Sequence, residues 1–253
     1  MLAVRIRRIT GAHWLGFYGL VAGSWAALYA MRLPPEALAA AEAYGAEFWL
    51  ALCAVEPGVA GVPALTAMWA AMAAAMMAPT LLPALATFDD LVQGGAARRQ
   101  DFTVLLAGYL AVWLGFAVLA AAWQMALAGA GLLTPLGASA ERWFSALLLA
   151  GAGAYQFTTL KDACLSRCRR PLIFFMAYWA EGPARMGFRL GLACLGCCWA
   201  LMALAFVGGT MNLAFMGLAM VLMTLEKLPR WGTPLTRPLG AVLLAAAVLT
   251  LMI

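Results

Sequence analysis

Residues 103–128 read TVLLAGYLAVWLGFAVLAAAWQMALA, without a single Asp, Glu, Lys or Arg. An α-helix needs about 20 predominantly apolar residues to cross the hydrocarbon core of a bilayer, and this run is longer than that. The whole chain is 66% hydrophobic and only 11% charged. Such a composition is too apolar for a water-soluble fold of this length, so we predict an all-α, polytopic transmembrane helical bundle.

Other apolar blocks of similar length occur along the chain, and short polar stretches separate them. They predict about seven spans, at residues 13–31, 62–86, 103–128, 143–160, 188–208, 211–225 and 239–253. We predict that residues 1–253 form a single integral membrane domain. Within it, residues 32–61 are expected to form an interfacial outer segment and residues 161–187 an inner, cysteine-containing loop.

The basic residues predict the orientation of these spans, because Lys and Arg near span ends are retained on the cytoplasmic side. Basic clusters precede the first span and follow the second, fourth and sixth, whereas only Arg32 and Arg142 lie on the opposite side. The pattern predicts a cytoplasmic N-terminus. The net charge of +5 is spread over membrane-flanking loops without interleaved aromatic residues, which argues against nucleic-acid binding.

Five of the six cysteines lie close together in the sequence. At helical spacing, each of the two groups occupies one face of a helix, and a methionine extends the second face by a turn; the residues are Cys164 and Cys168, then Cys194, Cys197, Cys198 and Met202. Both groups are predicted near the cytoplasmic surface, where thiols stay reduced. This favours metal binding or redox exchange over a structural disulfide, while plain helix packing is the alternative.

Methionines supply a second pattern in the chain. Met68, Met72 and Met76 form a stripe at helical spacing, Met77 follows directly, and residues 216–223 carry a similar stripe. Soft thioether and thiolate ligands prefer Cu(I), although core packing also explains such stripes. The predicted metal ligands are Cys164, Cys168, Cys194, Cys197, Cys198, Met72, Met76, Met77 and Met202.

Few polar residues lie inside the predicted spans. We expect Gln124, Gln156 and Asn212 to form interhelical hydrogen bonds, and Glu226 to pair with its neighbour Lys227 at the interface. Pro79 and Pro83 should kink or end the second span. The chain contains a single histidine and no nucleotide-binding loop or Ser-His-Asp set, so hydrolytic or ATP-driven catalysis is not expected.

Several short motifs together carry a family resemblance. They are Ala75-Met76-Met77-Ala-Pro79, Gly108-Tyr109, Tyr155-Gln156, Lys161 with Cys164-Leu165 and Cys168-Arg169 before Pro171, Cys194-Leu-Gly-Cys197-Cys198-Trp199-Ala-Leu-Met202, Gly209 before Met211-Asn212, and Glu226-Lys227. In these motifs the chain resembles a bacterial family of predicted metal-binding integral membrane proteins. The resemblance covers roughly residues 68–227.

The resemblance implies a multi-pass protein of the bacterial inner membrane that handles a metal, since relatives in that family are linked to supplying copper to copper enzymes. A periplasmic or membrane copper protein is then an expected partner, besides the lipid bilayer and the metal ion. Two positions depart from the family pattern. Thr159 stands where the family has Pro, and Leu190 where it often has His; the missing imidazole would weaken or alter a metal site.

Three functions remain open on the sequence. The first is Cu(I) binding for transport or delivery to copper enzymes, through a Cys/Met site. The second is a membrane thiol–disulfide oxidoreductase, in which Cys194 and Cys197 exchange a disulfide with Cys164 and Cys168 and pass electrons to a quinone. The third is a structural or assembly subunit that holds no metal and whose cysteines are inert.

Overall fold

The computed structural model describes residues 11–31, 61–134, 137–210 and 212–252. Cys53 and Met211 lie outside these residues. The predicted interfacial segment 32–61 also lies outside them, except for Gly61. Within the described ranges the chain is helical: α1 Ala12–Ala30, α2 Gly61–Gln93, α3 Arg99–Gly129, α4 Arg142–Tyr155, α5 Thr159–Arg169, α6 Pro171–Tyr178, a 3₁₀ turn Trp179–Glu181, α7 Pro183–Ala203, α8 Ala205–Gly208, α9 Leu213–Lys227 and α10 Pro229–Met252. The all-α prediction is confirmed, and the inner segment 161–187 is itself helical.

Among the described residues, four segments are long and apolar enough to cross a membrane. They are Gly61–Gln93, Arg99–Gly129, Pro183–Gly208 and Gly232–Met252, and they coincide with four of the predicted spans. The other three predicted spans correspond to α1, α4 and α9, of 19, 14 and 15 residues. Straight helices of the length of α4 and α9 rise only about 21–23 Å, less than the ~30 Å hydrocarbon core.

Helix α2 does not end at Pro79 or Pro83 but continues to Gln93. A proline inside a helix lacks the N–H that would donate to the carbonyl four residues earlier. For Pro79 that carbonyl belongs to Ala75, and it accepts a hydrogen bond from the Trp25 indole N–H at 3.1 Å. A side chain of α1 thus satisfies the carbonyl freed by the proline, which also fixes α1 against α2.

The predicted polar contacts have different outcomes. Gln124 on α3 accepts a hydrogen bond from the indole of Trp69 on α2 at 2.7 Å, so this interhelical bond is confirmed. Asn212 caps α9, where its side chain accepts from the Phe215 amide, and it also donates to the Gly208 carbonyl of α8, which is an interhelical bond. The Gln156 side chain is buried, and neither of its amide atoms has a hydrogen-bond partner among the described residues.

Glycines bring α3 and α7 into close contact. Gly108 on α3 and Gly187 on α7 each lie so near a backbone carbonyl of the other helix that a Cβ there would collide with it. Gly191, one turn after Gly187, faces a valine side chain of α3 in the same way. Small residues at such spacing let two helix backbones approach closely. The contact brings Tyr109 of α3 within reach of Cys194 of α7.

Candidate metal centre

Three thiols of α7 form the centre of the site. The sulfur atoms of Cys194, Cys197 and Cys198 all lie within 4.8 Å of one another, and all three residues are buried. Their i, i+3 and i+4 spacing puts them on one side of the helix. The sulfurs of Cys197 and Cys198 are 3.3 Å apart, and none of the three forms a disulfide. One soft metal ion could therefore be bound by more than one of these sulfurs.

Helix α5 carries the other two predicted thiols to this centre. The Cys168 thiol interacts with that of Cys197 and lines a small cavity together with Cys194. The Cys164 sulfur packs against Gly196 of α7, 2.5 Å from the point where a Cβ would stand. The structure thus brings the two cysteine groups together across α5 and α7, as their predicted depths required.

The sequence of α5 explains why this short segment is helical. The Thr158 side chain accepts a hydrogen bond from the Lys161 amide and caps the helix, while Asp162 lies in the first turn and basic residues occupy the last. The cap and the charges at both ends stabilise the helix, because each charge interacts favourably with the nearby end of the helix dipole. Partial burial raises the pKa of the Cys164 thiol, and the nearby Arg167 partly offsets this effect.

Lys227, which sequence reasoning did not assign to the site, contacts the Cys194 thiol. The Lys227 Nζ lies 2.9 Å from the Cys194 Sγ and donates to the Thr80 hydroxyl at 2.5 Å. The residue is 4% exposed. Thr80 comes from α2 and Lys227 from the end of α9, so three helices meet at this cation.

The predicted pairing of Glu226 with Lys227 is wrong. Glu226 forms an ion pair with Lys161 at 2.9 Å, and both side chains are almost fully buried. Adjacent residues of a helix point in different directions and do not face each other. Arg169 also binds this region, because its Nε donates to the Glu226 carbonyl at 2.8 Å.

Tyr109 completes the surroundings of Cys194. Its hydroxyl lies 2.9 Å from the Cys194 sulfur and donates to the Met77 carbonyl at 3.1 Å. Cys194 is therefore in contact with a phenol and an ammonium group as well as with its neighbouring thiols. The Lys227 ammonium donates to the Cys194 sulfur, and hydrogen bonds from charged donors are stronger than those between neutral groups, so the lysine stabilises a thiolate at Cys194.

One known protein family matches most of the chain. Residues 66–250 match the model of the PpoB2 copper chaperone family. The chain belongs to this copper chaperone family. No curated protein and no solved structure matches the chain. The matched range extends from α2 into α10 and includes all five clustered cysteines, which confirms the resemblance to a family linked to copper supply.

Membership in the copper chaperone family gives meaning to the position of Leu190. This side chain is buried and lines the same small cavity as Cys168, Cys194 and Lys227. The family-pattern histidine would thus stand beside the thiols, but leucine offers no ligand atom. The other departure, Thr159, is the first residue of α5 next to the capping Thr158.

The predicted methionine ligands are all buried in the core of this copper chaperone: Met72, Met76, Met77 and Met202. Met77 belongs to the turn of α2 that also carries Thr80, and its carbonyl contacts Tyr109. Met202 lies one turn after Cys198 on α7. Their role as metal ligands stays a prediction.

Sequence reasoning missed Lys227, Thr80 and Tyr109 as parts of the site. The available signal was the lysine itself, since a cation within or beside an apolar run faces the bundle interior and finds a partner there. The motifs Glu226-Lys227 and Gly108-Tyr109 were visible in the sequence, but their proximity to Cys194 depends on the packing of α2, α3, α7 and α9.

Proposed function

We propose that the protein binds Cu(I) as its cargo at the three α7 thiols and delivers the ion to copper enzymes. One observation carries this proposal: the sulfurs of Cys194, Cys197 and Cys198 lie within 4.8 Å of one another in a buried position. Thiolates select soft ions such as Cu(I), whereas Mg²⁺, Ca²⁺ and Mn²⁺ require oxygen ligands. Family membership supports copper over other soft metals.

The ion reaches the centre through the thiols of α5. Cys164 and Cys168 are partly exposed, whereas the three α7 cysteines are buried. We infer that α5 receives Cu(I) and transfers it to Cys197 and Cys198 by stepwise replacement of one thiolate ligand by another. Met72, Met76, Met77 and Met202 act as weaker relay ligands on the way out of the centre.

The proposal includes a membrane arrangement. The protein is a multi-pass protein of the bacterial inner membrane, with about seven spans and a cytoplasmic N-terminus. Helices α4 and α9 are shorter than the hydrocarbon core, so the bilayer thins around them in this arrangement. The basic α5 segment then faces the cytoplasm, and its thiols receive copper there. The recipient is a periplasmic or membrane copper protein.

Thiol–disulfide exchange is the second candidate function. The interaction between the Cys168 and Cys197 thiols favours it, because exchange requires a thiol of α5 to contact a thiol of α7. Its formation would release two protons and two electrons, and a quinone would accept them. Metal binding ranks first because exchange requires access for an attacking thiolate, whereas Cys197 is only 1% exposed.

Elemental analysis tests the proposal. The full-length protein is purified under reducing conditions from copper-supplemented cells and compared with the triple variant Cys194→Ser/Cys197→Ser/Cys198→Ser. Cys53→Ser, which changes the one cysteine outside the cluster, is the matched control. We expect close to one copper per chain in the wild type and in Cys53→Ser, and none in the triple variant.

Three other outcomes would reject copper binding at this centre. Equal copper in the wild type and the triple variant would locate the ion elsewhere. Absence of copper from every variant, together with thiol labelling that changes when a quinone is added, would support thiol–disulfide exchange. Absence of both effects would support a structural subunit with inert cysteines.

A further inference from the structure

We propose that Lys227 makes the thiolate centre selective for monovalent over divalent soft ions. The inference rests on the proposed function, since it concerns the ion held by the same thiols. Its basis is the position of the buried Lys227 ammonium group, which contacts the Cys194 sulfur of the cluster.

The contacts of Lys227 identify the sulfur cluster as its anionic partner. Its ammonium group contacts the Cys194 sulfur at 2.9 Å and the neutral Thr80 hydroxyl at 2.5 Å. Within the described parts of the chain it forms no ion pair with a carboxylate. The adjacent carboxylate, Glu226, is held by Lys161. An ammonium group buried in an apolar bundle requires a compensating anion, and the thiolates are the groups in place to provide it.

Lys161, Glu226 and Arg169, the other charged groups near the cluster, form their hydrogen bonds with groups other than its sulfurs. Lys161 and Glu226 form a neutral pair. Arg169 donates to the Glu226 carbonyl and to the Thr236 hydroxyl, at 2.8 and 3.1 Å. Lys227 is therefore the cation that directly contacts a cluster sulfur, and it is held there from the C-terminal turn of α9, where the helix dipole favours a positive charge.

The charge of the complete centre depends on the charge of the ion. In this inference two of the three α7 thiols are deprotonated and the third is neutral. Two thiolates and a monovalent ion then carry a net charge of −1, which the ammonium group of Lys227 cancels. Two thiolates and a divalent ion are neutral by themselves, so the charge of Lys227 would be left uncompensated in a buried position. For two ions with the same preferred geometry, the lysine therefore favours the one with the single charge.

Ag(I) and Hg(II) make this comparison clean, because both are thiophilic ions that bind two thiolates in a linear arrangement. The affinities of the reduced, detergent-purified full-length protein for Cu(I), Ag(I) and Hg(II) are measured by competition with chelators. Lys227→Leu removes the charge without adding a ligand atom beside the thiols, which a methionine thioether would do. Lys227→Arg keeps the charge.

We expect Lys227→Leu to lower the affinities for Cu(I) and Ag(I) by about ten- to a hundredfold, the range for loss of a charged hydrogen-bond partner. The affinity for Hg(II) should stay unchanged or increase. Lys227→Arg should keep the wild-type ratio of Ag(I) to Hg(II) affinity. The double variant Lys161→Met/Glu226→Gln removes a buried pair without changing the net charge, and it should keep that ratio too.

Equal losses of Ag(I) and Hg(II) affinity in Lys227→Leu would overturn the inference and assign Lys227 a purely structural role. If Lys227→Leu does not fold, Lys227→Gln removes the same charge and keeps a hydrogen-bonding group; a wild-type ion ratio in that variant also overturns the inference. Failure of the wild type to bind Cu(I) and Ag(I) through its cysteines would instead reject the proposed function, and the inference with it.

Discussion

The Lys227 ammonium lies 2.9 Å from the Cys194 sulfur, although the two residues belong to different helices. The residue before Lys227 is an acid, yet that acid pairs with a different lysine at 2.9 Å. Two buried cations near each other thus have different kinds of partner, a carboxylate for Lys161 and a thiol cluster for Lys227. The packing of α9 therefore determines which cation lies beside the thiols of α7.

The close contact between α3 and α7 should be essential for the site. Gly187→Ala would drive a methyl group into the Leu105 carbonyl, and overpacking of this kind costs about 1–3 kcal/mol. We expect a lower unfolding temperature in detergent and reduced copper retention. Gly115→Ala on α3 is the matched control, since nothing lies within 4 Å of its Cβ position; equal effects of both substitutions would contradict the account.

The Tyr109 hydroxyl should stabilise the site without being a ligand. Tyr109→Phe removes its contacts with Cys194 and the Met77 carbonyl, and loss of a buried hydrogen bond costs about 1 kcal/mol. We expect a modest loss of stability and a Cu(I) affinity lowered by less than about tenfold. The measurement is competition with a Cu(I) chelator, with Tyr29→Phe at an exposed position as control. Complete loss of copper would show that Tyr109 has a larger role.

The buried pair of Lys161 and Glu226 should respond differently to single and double substitution. Lys161→Met leaves an uncompensated buried carboxylate, which costs about 3–5 kcal/mol. The double variant Lys161→Met/Glu226→Gln removes both charges, and we expect it to recover most of that loss. Thermal unfolding of the purified proteins measures the difference. A double variant that is no more stable than the single one would argue against a mutual ion pair.

Introducing the family-pattern histidine should add a nitrogen ligand. Leu190 lines the cavity beside Cys194, so Leu190→His would place an imidazole next to the thiols. We expect copper X-ray absorption spectra of the variant to show a nitrogen ligand that the wild type lacks. An unchanged spectrum in a folded, copper-loaded variant would show that position 190 does not face the ion.

The alkylation of Cys164 should depend on pH in a defined direction. The thiolate is the reactive form, and burial raises the pKa of this thiol above its ordinary value. The labelling rate of the metal-free protein should therefore rise continuously through about pH 8.5, the ordinary pKa of cysteine, without levelling off. Measurement uses a variant in which the other cysteines are replaced by serine. A plateau below about pH 8 would contradict a raised pKa.

The helical fold and the cysteine cluster follow from the sequence because both depend on local periodicity. Apolar runs of bilayer length predicted the four long helices, and turn spacing put Cys194, Cys197 and Cys198 on one face. Charge near the span ends also predicted that Cys164 and Cys168 would lie at the depth of the other group. Span length and turn spacing are properties of single helices, so a sequence pattern predicts them directly.

The partners of Glu226, Lys227 and Tyr109 could not be predicted in the same way, because they depend on how separate helices rotate and pack. A pairing of Glu226 with Lys227 looked natural in the sequence, yet helix geometry turns the two side chains apart. The continuation of α2 beyond Pro79 likewise depends on Trp25, whose indole satisfies a carbonyl 50 residues away. Such contacts require the three-dimensional arrangement.

X-ray absorption at the copper edge of the purified, reduced protein tests the central claim most directly. The account predicts about one copper per chain in the +1 state, with sulfur as its only ligand type, and no bound copper in Cys194→Ser/Cys197→Ser/Cys198→Ser. Copper bound through nitrogen or oxygen, or undiminished in the triple variant, would contradict it.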